Sequence, residues 1–265
     1  MLRRPIETTR LTGTFVPELV SVGGNSALDF RTERTNFVRK SAAMSQCQKP
    51  TGMPGRFILW AMNLGHSKLT DWGLAHTSVE KHYIILDVGC GGGRTVSKLA
   101  DAAAQGRVYG IDFSEESVAA SKITNASWID MGRVEINHGS VSQLPYSNAM
   151  FDLVTAVDTH IWWPNLPGDM REIFRVLKPG GRLIVTAEVY KGATTRVSKL
   201  LAVGSAIRQR FERRSLGSEK YAGKTGMTLL SVDEHRDLFK RTGYSDVQVI
   251  EERTKGWICA LGKKP

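Results

Sequence analysis

Residues 84–93, IILDVGCGGG, constrain the fold more than any other stretch: an apolar run ends in an acid, and spaced glycines follow at once. Ile84, Ile85, Leu86 and Val88 are strand formers, while Gly89, Gly91, Gly92 and Gly93 permit a tight turn that brings backbone close to a ligand. RTVSKLADAAAQ comes next with the spacing of an amphipathic helix, so its first N–H groups point back toward whatever sits over the glycines. Strand, turn and helix in this order have the form of a nucleotide site. The glycine spacing also fits the dinucleotide fingerprint, a weak signal when it stands alone; the plain alternative is a tight turn without a ligand.

Further units of the same kind follow. RVYGIDFSEESVAASK supplies a second strand that ends in Asp112, 25 residues after Asp87, which leaves room for a turn, a helix and a return strand on a mostly parallel sheet. An acid at that strand end accepts hydrogen bonds from two ribose hydroxyls; the plainer role for Asp112, or for Ser114, is a helix cap. RVEINH and FDLVTAV read as third and fourth strands. Asp158, His160, Trp162 and Trp163 come just after the fourth, where such a sheet displays its chemistry, although Asp and His are also common in ordinary exposed loops. A helix, a turn through Pro179, Gly180 and Gly181, and a fifth strand from Arg182 to Glu188 are expected next. SVDEHRDLFKRTGY opens with a capping-box pattern, Ser231 and Glu234, and DVQVIEE and GWICALG read as sixth and seventh strands.

At 265 residues, 41% of them hydrophobic, the chain can bury one sizeable core with a small addition. No run of 18 apolar residues occurs, and MLRRPIETTR is not followed by the apolar segment of a secretory signal, so a cytoplasmic protein is expected. Cys47, Cys90 and Cys259 lack paired metal spacing, which argues against zinc and against a disulfide framework. The formal charge of +10 is unevenly spread. Residues 51–190 carry 12 basic and 14 acidic groups, and the excess lies in the flanks, so a broad nucleic-acid surface is not indicated.

Residues 1–50 read as an N-terminal extension, flexible or a lid, with residues 1–43 as leader, added segment or lid; residues 51–265 read as the main domain. A helix through Phe57, Trp60, Ala61 and Leu64, ending near Gly65, would leave Asn63, His66, Trp72 and His76 beside the glycine turn. Residues 191–224 read as a helical cap insertion with nine basic and two acidic groups. Its Val197, Leu200, Leu201, Ile207 and Phe211 suit either a substrate cap or peripheral contact with an anionic membrane.

Taken in order, DVGCGGG, GIDFS, HGSVSQLPY, FDLVTAV and RVLKPGGRL resemble the class I S-adenosylmethionine-dependent methyltransferases, specifically the ubiquinone/menaquinone-methyltransferase-like group, over about residues 55–262. The resemblance implies a Rossmann-like α/β fold: a seven-stranded, mostly parallel sheet with an antiparallel last strand and helices on both faces. It also implies S-adenosylmethionine as cofactor, its amino-acid portion at Asp87, Gly89, Gly91 and Gly93, its ribose at Asp112 and its adenine covered by Phe113. That group often has an acid after the glycine of the third-strand motif; here Gly139 is followed by Ser140 and Val141, and Ser140 can still meet the adenine amino group. Val141 and Asp158 complete the expected cofactor set.

The aromatic and His-bearing segments argue for a small, partly apolar acceptor in a covered pocket, methylated by direct displacement. His160 and His66 are the expected groups for orienting or deprotonating it, with Trp60, Asn63, Trp72, Trp162, Trp163 and Glu188 as pocket lining and no metal. An RNA or protein acceptor, or a non-enzymatic cofactor-binding module, are the alternatives.

Overall fold

The computed structural model describes residues 50–52, 55, 66–193 and 227–265. The expected helix through Phe57 and Leu64, with Trp60 and Asn63, lies outside them, as do residues 1–49 and the insertion beyond Ala193 with its apolar positions from Val197 to Phe211.

Seven strands form a single sheet in the order β3-β2-β1-β4-β5-β7-β6. They are β1 (Ile84–Val88), β2 (Arg107–Asp112), β3 (Val134–His138), β4 (Phe151–Val157), β5 (Leu177–Ala187), β6 (Ser245–Glu252) and β7 (Trp257–Lys263). The first five run parallel, while β7 enters between β5 and β6 antiparallel to both. This is the Rossmann-like sheet the motif order implies.

Because side chains alternate along a strand, each strand feeds two cores. Leu86 of β1 and Val154 of β4 point to one face, where Met170 and Ile173 of α5 (Leu166–Val176) and Leu238 and Phe239 of α6 (Val232–Arg241) cover them. Ile85 and Leu153, one residue away on the same strands, point to the other face, against Val96 and Leu99 of α2 (Arg94–Ala102) and Val118 of α3 (Glu115–Thr124). Strands buried on both faces read as continuous apolar runs, which is why IILDV and FDLVTAV were legible. Since α2 follows β1 onto one face and α5 follows β4 onto the other, the chain diverges at the carboxyl ends of β1 and β4. That divergence opens a crevice.

Local details agree or depart for identifiable reasons. Ser231 caps α6 in a full capping box: its hydroxyl accepts from Glu234 N at 3.2 Å, and Glu234 Oε2 accepts from Ser231 N at 2.7 Å. Ser114, not Asp112, caps α3. β5 begins at Leu177 rather than Arg182, because the expected turn is an irregularity in the ladder, with Gly180 N and Gly181 O paired to Lys264. α1 (Ser67–Leu74) lies beyond Gly65, where the expected helix ends. A Cβ at Gly73 would lie 2.3 Å from Thr186 Cγ2, so the missing side chain is what lets this helix approach β5. The short α4 (Ala126–Asp130) was likewise not anticipated. Among the described residues Cys90 and Cys259 are free and buried, and no helix is long and apolar enough to cross a membrane.

Candidate active site

The crevice is a cavity of about 400 Å³. Its floor is the glycine turn. Gly89 N and Cys90 N both donate to Ile111 O, at 2.8 and 3.1 Å, which ties the turn to β2. Gly89 has φ +73°, and a Cβ there would lie 2.5 Å from Thr159 Cγ2, so glycine lets the segment after β4 cross closely above it. Gly91, at φ +51°, faces the open cavity: a Cβ would meet nothing within 4 Å and would take up ligand space. Gly93 turns away, closing the turn through Gly93 N to Cys90 O at 2.9 Å, while its carbonyl accepts from Asn125 Nδ2 at 3.0 Å.

Asp112 ends β2 and is 7% exposed. Its Oδ2 accepts from Gly91 N and its Oδ1 from Ser114 N, both at 2.9 Å. Each oxygen keeps a further lone pair, so the carboxylate can still receive a vicinal diol. Burial raises its pKa, against the lowering effect of those backbone bonds. Phe113, its ring half-exposed, is the next residue, and Ile111, Ser140 and Val141 line the same cavity. A buried diol acceptor next to flat apolar walls matches the chemistry of an adenosine.

Asp87 lies beneath the turn rather than on the cavity wall. It is 2% exposed, and its Oδ1 accepts from Thr155 Oγ1 at 2.6 Å. Burial pushes its pKa up to about 7, with Thr155 opposing and the Asp112 charge adding to the rise. The folded-state pKa therefore lies above the unfolded value, so the stabilising contribution is full below about pH 4 and is lost as pH rises through about 7. Between about pH 5 and pH 8 this single group withdraws on the order of 2 to 3 kcal/mol. We expect Asp87→Asn to flatten the stability–pH curve over that interval in denaturant titrations; a slope equal to wild type would refute the assignment.

The other end of the cavity is assembled from remote segments. His66 precedes α1, Asp158 follows β4 and Glu188 follows β5. His66 Nε2 lies 3.5 Å from Asp158 Oδ2 and 3.9 Å from Glu188 Oε1. Asp158 has φ +57°, an unusual conformation for a residue with a side chain, and is held there as its N–H donates to Thr186 O at 2.7 Å and its Oδ1 accepts from Glu188 N at 3.1 Å. Burial raises the pKa of Asp158 and of Glu188, and His66 opposes the rise in both. Trp162, Trp163 and Pro164 wall this end, and Ser67, Thr70, Thr95 and Thr159 add hydroxyls.

His160 is not on the cavity wall. It is 2% exposed, and its Nε2 lies 3.2 Å from His235 Nε2. The Ser231 carbonyl, 2.8 Å from His235 Nδ1, can only accept, so Nδ1 carries a hydrogen; in the neutral pair His235 Nε2 is the acceptor and His160 Nε2 the donor. Burial holds both rings below the usual imidazole range, and the His235 charge adds to the effect on His160. This pair braces the short 3-10 turn His160–Trp162, and with it the tryptophan wall, from behind. Trp72 is also elsewhere, 4.9 Å edge-on from His76 and 5.9 Å from Trp257 between ring centroids. The lining residues Thr70, Thr95, Cys90 and Ser117 had no signal in the sequence beyond their neighbourhood to the motifs.

Residues 86–185 match the family model described as "Methyltransferase domain". The demethylmenaquinone methyltransferase of Shouchella clausii is 32% identical over 200 residues, covering 68% of this chain and 78% of that one. The demethylmenaquinone methyltransferase of Bacillus mycoides is 38% identical over 100 residues, 37% of this chain and less than half, 42%, of its own length. A S-adenosylmethionine-dependent methyltransferase of Aquifex aeolicus shares the fold, with a TM-score of 0.58 at 16% identity over 78% of this chain and 97% of that one. With its crevice at the strand ends and a relative matched over most of its length, the chain belongs to the class I S-adenosylmethionine-dependent methyltransferases and is related to their ubiquinone/menaquinone-methyltransferase-like group.

Proposed function

We propose that the enzyme methylates a small, partly apolar acceptor seated at the His66 end of the cavity, with S-adenosylmethionine lying along the glycine turn. The observation that carries this reading is that one cavity holds both a buried carboxylate with spare acceptor capacity, Asp112, and an imidazole flanked by carboxylates and tryptophans. Asp112 would hold the ribose; Phe113, Ile111, Ser140 and Val141 the adenine; and the backbone from Gly89 to Gly91 the amino-acid portion. Bound S-adenosylmethionine supplies an electrophilic methyl on a positively charged sulfur.

The protein's contribution is then alignment and exclusion of water. Trp162, Trp163 and Pro164 give the acceptor an apolar wall. His66, held between Asp158 and Glu188, orients the acceptor's reacting atom, while His160 positions the wall. Asp87 supports the turn from below and takes no part as a base.

The relatives from Shouchella clausii and Bacillus mycoides are demethylmenaquinone methyltransferases by name, which agrees with a small acceptor. A macromolecular acceptor is the rival. Incubating the enzyme with radiolabelled S-adenosylmethionine and cell extract separated by size decides between them. Label in the small-molecule fraction is expected; label confined to RNA or protein would overturn the proposal.

A further inference from the structure

We propose that His66, Asp158 and Glu188 form a binding site for one divalent metal ion at the acceptor end of the cavity. The inference rests on the methyl-transfer reading above and specifies how the acceptor is held. Three donors of different type converge: His66 Nε2, Asp158 Oδ2 and Glu188 Oε1 all lie within 4.8 Å of one another. The two closer separations are 3.5 and 3.9 Å. Donors about 2.1 Å from a common ion stand roughly 3 to 3.5 Å apart, so a small inward rotation of the Glu188 side chain completes the geometry.

Two features argue that the convergence serves a cation. First, two carboxylates share this half-buried place, and among the described residues neither is ion-paired to a Lys or Arg; the imidazole alone faces them. Bringing two anions together under partial burial is unfavourable without a positive partner. Second, the Asp158 carboxylate is already oriented: Oδ1 is fixed by Glu188 N at 3.1 Å, which leaves Oδ2 directed at His66. An outer hydrogen bond of this kind sets a ligating carboxylate in place. The donors come from three separate elements, so no local spacing motif announces them.

One nitrogen and two carboxylate oxygens suit Mn²⁺, Fe²⁺ or Zn²⁺, and three protein donors leave coordination positions open toward the cavity. The acceptor class that fits carries an oxygen able to occupy one of them, such as a phenol, an enol or a hydroxyl beside a carbonyl. The tryptophan wall would take its apolar body.

Mn²⁺ alone is the probe. Metal-stripped full-length protein is titrated with Mn²⁺ and followed by electron paramagnetic resonance of the free ion, with Zn²⁺ as competitor. One saturable site is expected, weakened at least tenfold by Glu188→Gln and abolished by His66→Ala, while both variants keep wild-type affinity for S-adenosylhomocysteine as proof of an intact fold. No saturable binding of either ion, or equal binding by wild type and both variants, overturns the site. If methyl transfer persists in chelator while Mn²⁺ fails to bind, the metal site falls and the methyl-transfer reading stands. If S-adenosylhomocysteine fails to bind wild type, the underlying reading falls instead.

Discussion

Asp112→Ala is expected to weaken S-adenosylmethionine binding about 30- to 100-fold, or about 2 to 3 kcal/mol. Two losses combine. The carboxylate removed is the buried acceptor that would meet the ribose diol, and its two backbone partners, Gly91 N and Ser114 N, lose their acceptors together. Hydrogen bonds to an ionised group are the stronger kind, and the freed amides sit at the cavity floor and at the start of α3. The fold should survive, because removing Asp112 also relieves the charge that raises Asp87. Asp112→Asn keeps one acceptor oxygen and should give an intermediate loss. Titration calorimetry with S-adenosylhomocysteine checks both; an Asp112→Ala affinity within threefold of wild type would remove the residue from the cofactor site.

His66→Ala should slow transfer roughly 100-fold at saturating substrates, through loss of acceptor alignment, with cofactor affinity within about threefold of wild type. His66 is the sole imidazole on the cavity wall among the described residues, and its Nε2 is the point on which Asp158 and Glu188 converge. It stands apart from the Asp112 end, so its loss should leave the cofactor cradle intact. His160→Ala should behave differently. It empties space behind the tryptophan wall and strips His235 Nε2 of its donor, so lowered thermal stability is the leading effect. Single-turnover rates alongside melting curves separate the two. An unchanged single-turnover rate in His66→Ala would remove it from acceptor chemistry.

The contrast between the two histidines marks how far the sequence could be read. The sheet was legible because doubly buried strands are apolar throughout and α6 is announced by its capping box. The glycine turn and the placing of Asp112 beside it were legible because each lies in a contiguous motif, one after β1 and one at the end of β2, whose backbone geometry is local. His160 and His66 look alike as letters. Which one faces the cavity depends on the 3-10 turn His160–Trp162 rotating His160 toward α6, a contact 75 residues away in sequence. The His66, Asp158 and Glu188 cluster was illegible as a unit for the same reason: its members lie on three elements, and only the sheet order brings β4 and β5 side by side under the segment before α1. Trp72 was misleading because a tryptophan near a site motif packs equally well on the sheet. The role of Gly73 was illegible because it depends on the close approach of α1 to Thr186 of β5, a contact between distant segments.

A diffraction structure of the complex with S-adenosylhomocysteine tests the central claim, that one cavity joins the cofactor cradle to the acceptor chemistry. The account predicts the ribose hydroxyls on the Asp112 carboxylate, the adenine beside Phe113, and the sulfur turned toward the end that bears His66, Asp158 and Trp162. An adenosine lodged at the His66 end, or a ligand bound outside this cavity, would contradict it.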